Sequence, residues 1–323
     1  GRAVAPRAHA VARAAGPEAT PTPAVRADNP VRTLMQSPRF LVSVEVRAGR
    51  ARSLDEIVRG AAIVAAAGAD LFDVPDNPGA SVGRDAVVTA ARLQSALQRP
   101  AIAHLGVTQS NLLRLHAQLI GAGDLGLRGL LAVTGDAPSM GPLGTLAHRV
   151  ADVRSSVELL RLVRGLREGK IISGEALADP PDFCAGCAMG RPMAPQVRWL
   201  QTKIDAGAEF AFAQPVFTPD EFHRLRDAVG GLPIRLFPGL LPLVSRRGAE
   251  FLAGGRIPGI VVPEAIVSGL ARYEQPADQR LHGLALAAEL AAVIAGEAAG
   301  LYLIMPFGRS AFEDVAEIVR RVR

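Results

Sequence analysis

Five apolar runs of this chain contain, or end in, polar residues able to do chemistry. Glu45 closes Leu-Val-Ser-Val-Glu. Asp76 and Asn77 follow Leu-Phe-Asp-Val-Pro. His104 interrupts Ala-Ile-Ala-His-Leu. Thr134, Gly135 and Asp136 follow Gly-Leu-Leu-Ala-Val, and Gln214 follows Phe-Ala-Phe-Ala. A carboxylate is costly to bury unless it is paired or takes up a proton, and such surroundings suit a general acid or base. Glu45 is therefore read as an acid/base residue. Thr-Gly-Asp136 reads equally as a turn or as a functional carboxylate. His104 and Gln214 read equally as satisfied core groups or as ligand contacts. Asp76-Asn77-Pro is also a ready-made turn.

Other chemistries find little support. His116, His148, His223 and His282 fall on helices or loops without metal-ligand spacing, and no H-E-x-x-H or Ser/His/Asp pattern occurs. The site is expected to be acidic, rich in amides and without a metal. Cys184-Ala-Gly-Cys187 is a single CxxC, which does not complete a four-thiolate zinc site. It is expected in a Pro/Gly-rich loop, whereas a thioredoxin-like pair should open a helix just after a strand. Gly121-Ala-Gly-Asp-Leu-Gly126 matches GxGxxG, but a helical stretch precedes it and a strand follows. That order reverses the dinucleotide fingerprint, so it reads as a helix end and turn.

The elements that must position these residues alternate. Candidate strands are 40–46, 71–74, 101–105, 129–134, 171–176, 210–213, 234–240 and 301–305. Their near-continuous hydrophobicity predicts a parallel sheet buried on both faces. Ser53-Leu-Asp-Glu56, Ser155-Ser-Val-Glu158 and Thr218-Pro-Asp-Glu221 read as capping boxes that start helices. Ala67-Gly-Ala-Asp70 and Ala206-Gly-Ala-Glu209 are one phrase at two helix-to-strand junctions, where glycine takes the left-handed C′ position. The pattern predicts an α/β fold, a (β/α)8 TIM barrel with extra helices between Pro258 and Ala299, before the last strand. An open doubly wound sheet is the alternative.

Composition sets the bounds. Of 323 residues, 49% are hydrophobic and 4% aromatic, which suits one large core. No uninterrupted apolar run reaches the ~18 residues of a spanning helix, so no membrane is expected and the location is read as cytoplasmic. The net charge of +5 comes from scattered arginines, with Lys only at 170 and 203. Neither a basic face nor interleaved aromatics appear, so no nucleic acid is expected. Residues 1–37 read as a disordered Ala/Arg/Pro-rich arm or linker, and 38–323 as the barrel. The chain does not begin with Met, which leaves room for a domain upstream.

In these residues the sequence resembles the methylenetetrahydrofolate reductases. Closest in pattern is the reductase half of the bacterial proteins that carry a homocysteine S-methyltransferase domain in front of it. The matching phrases are Val-Glu45, Asp76-Asn77-Pro, Ala-His104-Leu, Leu-Leu-Ala-Val-Thr-Gly-Asp136-Ala-Pro and Lys203-Ile-Asp-Ala-Gly-Ala. Then come Gln214-Pro-Val-Phe, Pro238-Gly-Leu-Leu-Pro, Phe251-Leu with Ile257-Pro-Gly-Ile, and Met305-Pro-Phe-Gly-Arg. They stand in family order across about residues 38–310. The resemblance implies a barrel with non-covalent FAD, reduced by NAD(P)H, that reduces 5,10-methylenetetrahydrofolate in one-carbon metabolism and methionine synthesis. It implies Glu45 as acid/base, Asp136 as the carboxylate near flavin and folate, and Gln214 as the amide that orients the pterin. Asp76, Asn77, His104, Thr134, Gly135, Asp136 and Lys203 fall at flavin-contacting positions, Lys203 toward the phosphates. The upstream methyltransferase domain and a homo-oligomer are further expectations. Two departures stand out. Glu45 lacks the Pro pair usual after it, and the chain leaves strand 5 differently. They keep a second reading open, a non-catalytic flavin- or folate-binding paralogue.

Overall fold

In a computed structural model, residues 28–323 are described, except 145, 151, 256, 258 and 309. The expected arm therefore lies outside the described residues up to 27. Its last part does not behave as an arm. Pro30–Gln36 form helix α1, with the Asn29 side chain accepting from the Arg32 amide at its N-cap.

Alternation within the strands fixes the architecture. In β1 (Leu41–Glu45), Val42 and Val44 join the outer core under the helices, while Leu41 belongs to the core inside the barrel. Ser43 and Glu45 share the inward face of Leu41, because side chains alternate along a strand. The same alternation runs through β2 (Leu71–Val74), β3 (Ala101–Gly106), β4 (Gly129–Val133) and β5 (Cys184–Met189). It continues through β6 (Phe210–Pro215), β7 (Arg235–Leu240) and β8 (Gly300–Ile304). The eight strands are parallel and close in sequence order, β8 pairing back onto β1. The fold is thus a (β/α)8 TIM barrel, and the open sheet is excluded.

The wrapping helices are α2 (Leu54–Ala66), α3 (Ala86–Leu97), α4 (Leu112–Asp124), α5 (Ser156–Arg167), α6 (Ala194–Asp205) and α7 (Pro219–Val229). After β7 come α8 (Arg246–Ala253), α9 (Glu264–Ala271) and α10 (Pro276–Glu297), and α11 (Ala311–Arg321) follows β8. The extra helices α9 and α10 lie between Pro258 and Ala299, where the sequence places them. Ser53 and Glu56 make the full reciprocal capping box. At α5 and α7 the cap hydroxyl accepts from the glutamate amide, but the glutamate takes the amide one residue earlier, Arg154 N or Phe217 N. Gly68 and Gly207, in the repeated phrase, have φ of 112° and 114°. Gly126 ends α4 with φ 78°, so the GxGxxG is a helix end followed by β4.

Strand 5 is where expectation and structure part. Residues 171–176 form a turn closed by a single bridge between Lys170 and Ala176, and the fifth strand is Cys184–Met189 itself. The CxxC lies on this strand, not in a loop. Its low hydrophobicity has a steric cause. A Cβ on Gly186 would come within 2.3 Å of the Phe210 ring, which fills the barrel from the next strand. Gly300 makes the same room for Phe237, at 2.4 Å. Large rings on β6 and β7 thus demand missing side chains on their neighbours. Cys184 and Cys187 are free, buried and three apart, so they face opposite sides of the strand. Burial pushes the Cys187 thiol up to about 11, with Lys203 pulling the other way. Cys184 is pushed up as well, again chiefly by burial. Neither is poised as a thiolate.

The floor of the barrel is closed by α1. Val31 and Met35 belong to the inner core with Leu41, Leu71, Ile102 and Phe237. Asn29 Nδ2 donates to the Arg128 and Asp182 carbonyls at 3.1 and 2.9 Å. Arg32 grips Asp182 at 2.8 Å and Glu209 at 2.6 Å. Arg235 donates to the carbonyls of Leu34, Met35 and Ala299 at 3.2, 3.0 and 2.6 Å. Among the described residues, no helix is long and apolar enough to cross a membrane.

Candidate active site

The carboxyl ends of the strands surround a cavity of about 640 Å³, within the ~300–1,000 Å³ usual for small-molecule sites. Glu45, Asp76, His104, Gly135, Asp136 and Gln214 all line it. Five different strands or strand ends thus converge on one mouth, as the barrel geometry requires. Thr134, Asn77 and Lys203 are not part of this wall.

Glu45 sits at the bottom, 7% exposed. The Tyr302 hydroxyl donates to Glu45 Oε2. Arg47 Nε donates to Oε1 at 3.3 Å, and its guanidinium also lies 4.6 Å over the Phe307 ring. The carboxyl is therefore held from both oxygens, its burial offset by a phenol and a cation. Tyr302 is stacked on Phe212, with ring centroids 4.5 Å apart and planes 10° from parallel. Burial raises the Tyr302 phenol well above its ordinary value, and the charges of Glu45 and Asp73 add to this. Tyr302 therefore remains a donor.

Asp73 forms a second buried carboxylate beside the first. Register pairs Glu45 with Asp73 across β1 and β2. Asp73 is fully buried, accepts from Ser43 Oγ at 2.7 Å and meets His104 Nε2 at 3.0 Å. Burial raises its pKa, with His104 and Ser43 opposing and Glu45 adding. With Nε2 committed, Nδ1 is the His104 nitrogen left for the cavity.

The opposite wall is built from loops. Asp76 Oδ2 accepts from the Gly106 amide at 3.0 Å, and Oδ1 accepts from Asn77 Nδ2 at 3.1 Å. Burial raises Asp76 too, and the Gly106 amide counters it. Asn77, left-handed at φ 45°, also donates to Gln109 Oε1 at 2.9 Å and accepts from the Gly83 amide at 2.9 Å. Its role is to brace the loop behind the wall. Asp136 Oδ2 accepts from the Gly79 amide at 2.7 Å, and Thr108 Oγ1 donates to the Asp136 carbonyl at 3.1 Å. Thr134 is exposed, and its carbonyl accepts from the Val107 and Thr108 amides. Lys203, on α6, is 7% exposed and donates to the Ala188 carbonyl at 2.6 Å. Burial lowers its pKa, with Cys187 opposing. It supports the wall at Ala188 from behind.

Sequence reasoning missed Tyr302, Phe212 and Arg47, and noted Asp73 without giving it a role. Alternation could have found Asp73, three residues before Asp76 and two after inward Leu71. Nothing local marks Tyr302, because only closure of β8 onto β1 brings it to Glu45. Among the described residues, no group of three or more His, Cys, Asp or Glu could hold a metal ion.

Comparison with known proteins agrees with this arrangement. Residues 31–305 match the methylenetetrahydrofolate reductase family. A Caenorhabditis elegans protein named as a probable methylenetetrahydrofolate reductase (NADPH) is 28% identical over 175 residues, covering 52% of this chain and 24% of that protein. The chain thus spans about a quarter of that relative's length. Among solved structures, an uncharacterised Clostridium thermocellum protein that binds two copies of 5-methyl-5,6,7,8-tetrahydrofolic acid superposes with TM-score 0.59 at 11% identity. The match covers 90% of this chain and 97% of that one. EDTA monooxygenase from Chelativorans sp. BNC1 gives 0.53 at 16% identity, with 87% and 93% covered. At such identities these likenesses speak for the barrel alone. The sequence match runs from α1 through all eight strands, and the chain belongs to the methylenetetrahydrofolate reductase family.

Proposed function

We propose that this chain reduces 5,10-methylenetetrahydrofolate to 5-methyltetrahydrofolate, with FAD as cofactor and NAD(P)H as reductant. The observation that carries this reading is Glu45, a carboxyl held by Tyr302 and Arg47 at the bottom of a ligand-sized cavity, in a chain matching the family from α1 to β8. Opening the five-membered ring of the substrate needs a proton on its nitrogen and leaves a cationic iminium. In this reading Glu45 delivers that proton. Asp136, with one oxygen tied to Gly79, offers the other to the developing positive charge. Gln214 presents donor and acceptor together, which suits the edge of a pterin.

The side of the mouth between β2 and β4 fits a flat heteroaromatic cofactor. Gly135, at φ 81°, lines that side, and a Cβ there would come within 2.8 Å of Thr108 Oγ1, so the wall carries no side chain at this position. Asp76, His104, Gly135 and Asp136 supply polar atoms around it, with Asn77 and Thr134 bracing the loops. Lys203 supports the cavity wall from behind, at the Ala188 carbonyl on β5. Bound there, FAD would supply hydride transfer from the nicotinamide to the folate. The chain's own part is to orient the pterin, hold the proton at Glu45 and keep negative charge beside the cation. In this reading the protein works in the cytoplasm, in methionine synthesis, behind a homocysteine S-methyltransferase domain and with a homo-oligomer as its assembly.

The visible spectrum tests this directly. The purified protein should carry or take up FAD, bleach on adding reduced nicotinamide, and regain colour on adding methylenetetrahydrofolate. A protein that stays colourless with added FAD would sink the proposal. Bleaching without folate-dependent recovery would favour a non-catalytic paralogue, the reading that the missing Pro pair after Glu45 motivates.

A further inference from the structure

Arg47 stands in the Val-Arg-Ala-Gly stretch that follows Glu45, where the family's proline pair is missing. Its backbone is fixed on both sides. The Val46 amide donates to the Asp73 carbonyl at 2.7 Å, and the Ala48 carbonyl accepts from the Arg84 amide at 2.8 Å. Val46 packs in the outer core, so Arg47 returns to the face of Glu45 and lines the cavity with it. Among the described residues its guanidinium has two close partners. Nε donates to Glu45 Oε1 at 3.3 Å, and the group lies 4.6 Å over the Phe307 ring. The first contact is longer than the ~2.7–2.9 Å of a tight ionic hydrogen bond. The second lies on the rim, where Phe307 is 43% exposed and meets Phe251 edge-on.

The two oxygens of Glu45 are held by different donors. An ionised carboxyl accepts on both oxygens, while a protonated one gives one of them to its own O–H. The Tyr302 phenol, kept protonated by burial, donates to Oε2 and fixes that oxygen as the acceptor. The proton then belongs on Oε1, the oxygen that Arg47 touches. A cation against Oε1 opposes a proton there.

We infer that Arg47 is a positioning residue with two seats: on Glu45 Oε1 it favours the carboxylate, and drawn onto the Phe307 ring it frees Oε1 to carry the proton. The inference rests on the reading of Glu45 as proton donor and adds the group that sets when the proton is held. In the forward step the Oε1–H bond breaks, the substrate nitrogen gains the proton, and Arg47 meets the carboxylate left behind. A proton from solvent reloads Oε1 as the guanidinium moves back to the ring. The other ionisable groups facing Glu45 are Asp73 beside it, His104 behind Asp73, and Asp76 and Asp136 on the cavity wall. They stay the same when only one seat is altered.

The test follows the protonated-carboxyl stretch of Glu45 by infrared difference spectroscopy across pH, on the full chain, with the band assigned by its loss in Glu45→Gln. Arg47→Gln removes the cation, so the midpoint of the band should rise by roughly one pH unit. Phe307→Leu removes the ring and leaves the guanidinium to the carboxylate. The midpoint should then fall by roughly half a unit, the scale of an exposed cation–π contact. Arg47→Lys keeps a cation within reach and should undo most of the rise. The alkaline limb of kcat/KM for methylenetetrahydrofolate, which reports the acid of the free enzyme, should move with the band. Loss of packing alone would move the two midpoints in the same direction, so shifts of one sign, or no shift, would overturn the two seats. Opposite shifts in a protein without folate-dependent turnover would sink the reductase reading and leave the two seats standing. Intact turnover with an unmoved band would do the reverse.

Discussion

The two ends of the barrel use the same residue types to opposite ends. At the floor, Arg32 meets Asp182, Glu209 and the Phe183 carbonyl, while Arg235 is ringed by backbone carbonyls. Arg167 adds a second cation on Asp182 at 3.0 Å. Each charge there is spent on fixing α1 beneath the strands. At the mouth, the polar groups that line the cavity are less completely tied. Asp136 is anchored by one amide to Oδ2, Glu45 by Tyr302 and Arg47, and His104 by one nitrogen. A fully partnered charge contributes rigidity. A charge with an unused atom facing a cavity keeps a proton or a bond available to a ligand.

Exchanging one residue at each end should separate these roles. The largest effect is expected from Glu45→Gln. Turnover should fall by about 10²–10⁴-fold, the usual contribution of a positioned proton donor. Stability should hold, because the amide oxygen still accepts from Tyr302 and a buried charge is gone. A fall in unfolding temperature with turnover intact would make Glu45 a structural residue of the floor type. Arg32→Met is the converse. Removing one member of a partly buried charge cluster takes a cation from both Asp182 and Glu209, at a cost of about 2–3 kcal/mol. Urea unfolding should report that loss while the affinity for folate stays the same. A changed folate affinity at constant stability would show that floor and mouth are coupled.

Lys203 lies on the boundary between the two kinds of site. Its phrase, Lys-Ile-Asp-Ala-Gly-Ala, points to cofactor phosphates, yet its ammonium is buried on the Ala188 carbonyl. Lys203→Met keeps the volume and removes a buried charge, so stability should be unchanged or rise by about 1 kcal/mol. FAD affinity, followed by flavin fluorescence, should stay within about threefold of the native value. A loss of tenfold or more would return Lys203 to the phosphates, since a charged hydrogen bond to phosphate is worth at least that much.

Legibility in the sequence followed the range of the forces involved. Strands buried on both faces announced themselves by composition, and Glu45, Asp136 and Gln214 by being polar where such strands end. Strand 5 was hidden because its smallness serves its neighbours. Gly186 makes room for Phe210, and Cys-Ala-Gly-Cys resembles a motif, while Ile171 and Ile172 nearby look more like a strand. Helix α1 was hidden for a related reason. Its partners Asp182 and Glu209 lie 150 and 177 residues away in the chain. Tyr302 reaches Glu45 across 257 residues, through the closure of the barrel alone.

The smallest expected effect concerns Asp73, the carboxylate at the mouth that is buried like a floor residue yet has no arginine. Its burial raises the folded-state pKa above the ordinary aspartate value of 3.8, and the contacts with His104 and Ser43 only partly oppose this. The folded protein then holds a proton that the unfolded chain has released, over the pH range between the two values. In that range stability falls as pH rises, because the native state binds more protons. Asp73→Asn lacks this titration. The stability of the native chain relative to the variant should therefore be greatest near pH 4 and decline toward neutrality, as read from urea midpoints of both proteins across that range. If His104 instead held Asp73 as a strong ion pair, the folded pKa would be depressed and the relative stability would climb with pH. The sign of that slope decides whether the Asp73–His104 pair behaves as a floor-type charge cluster or as a neutral, hydrogen-bonded support that leaves the second nitrogen of His104 facing the cavity.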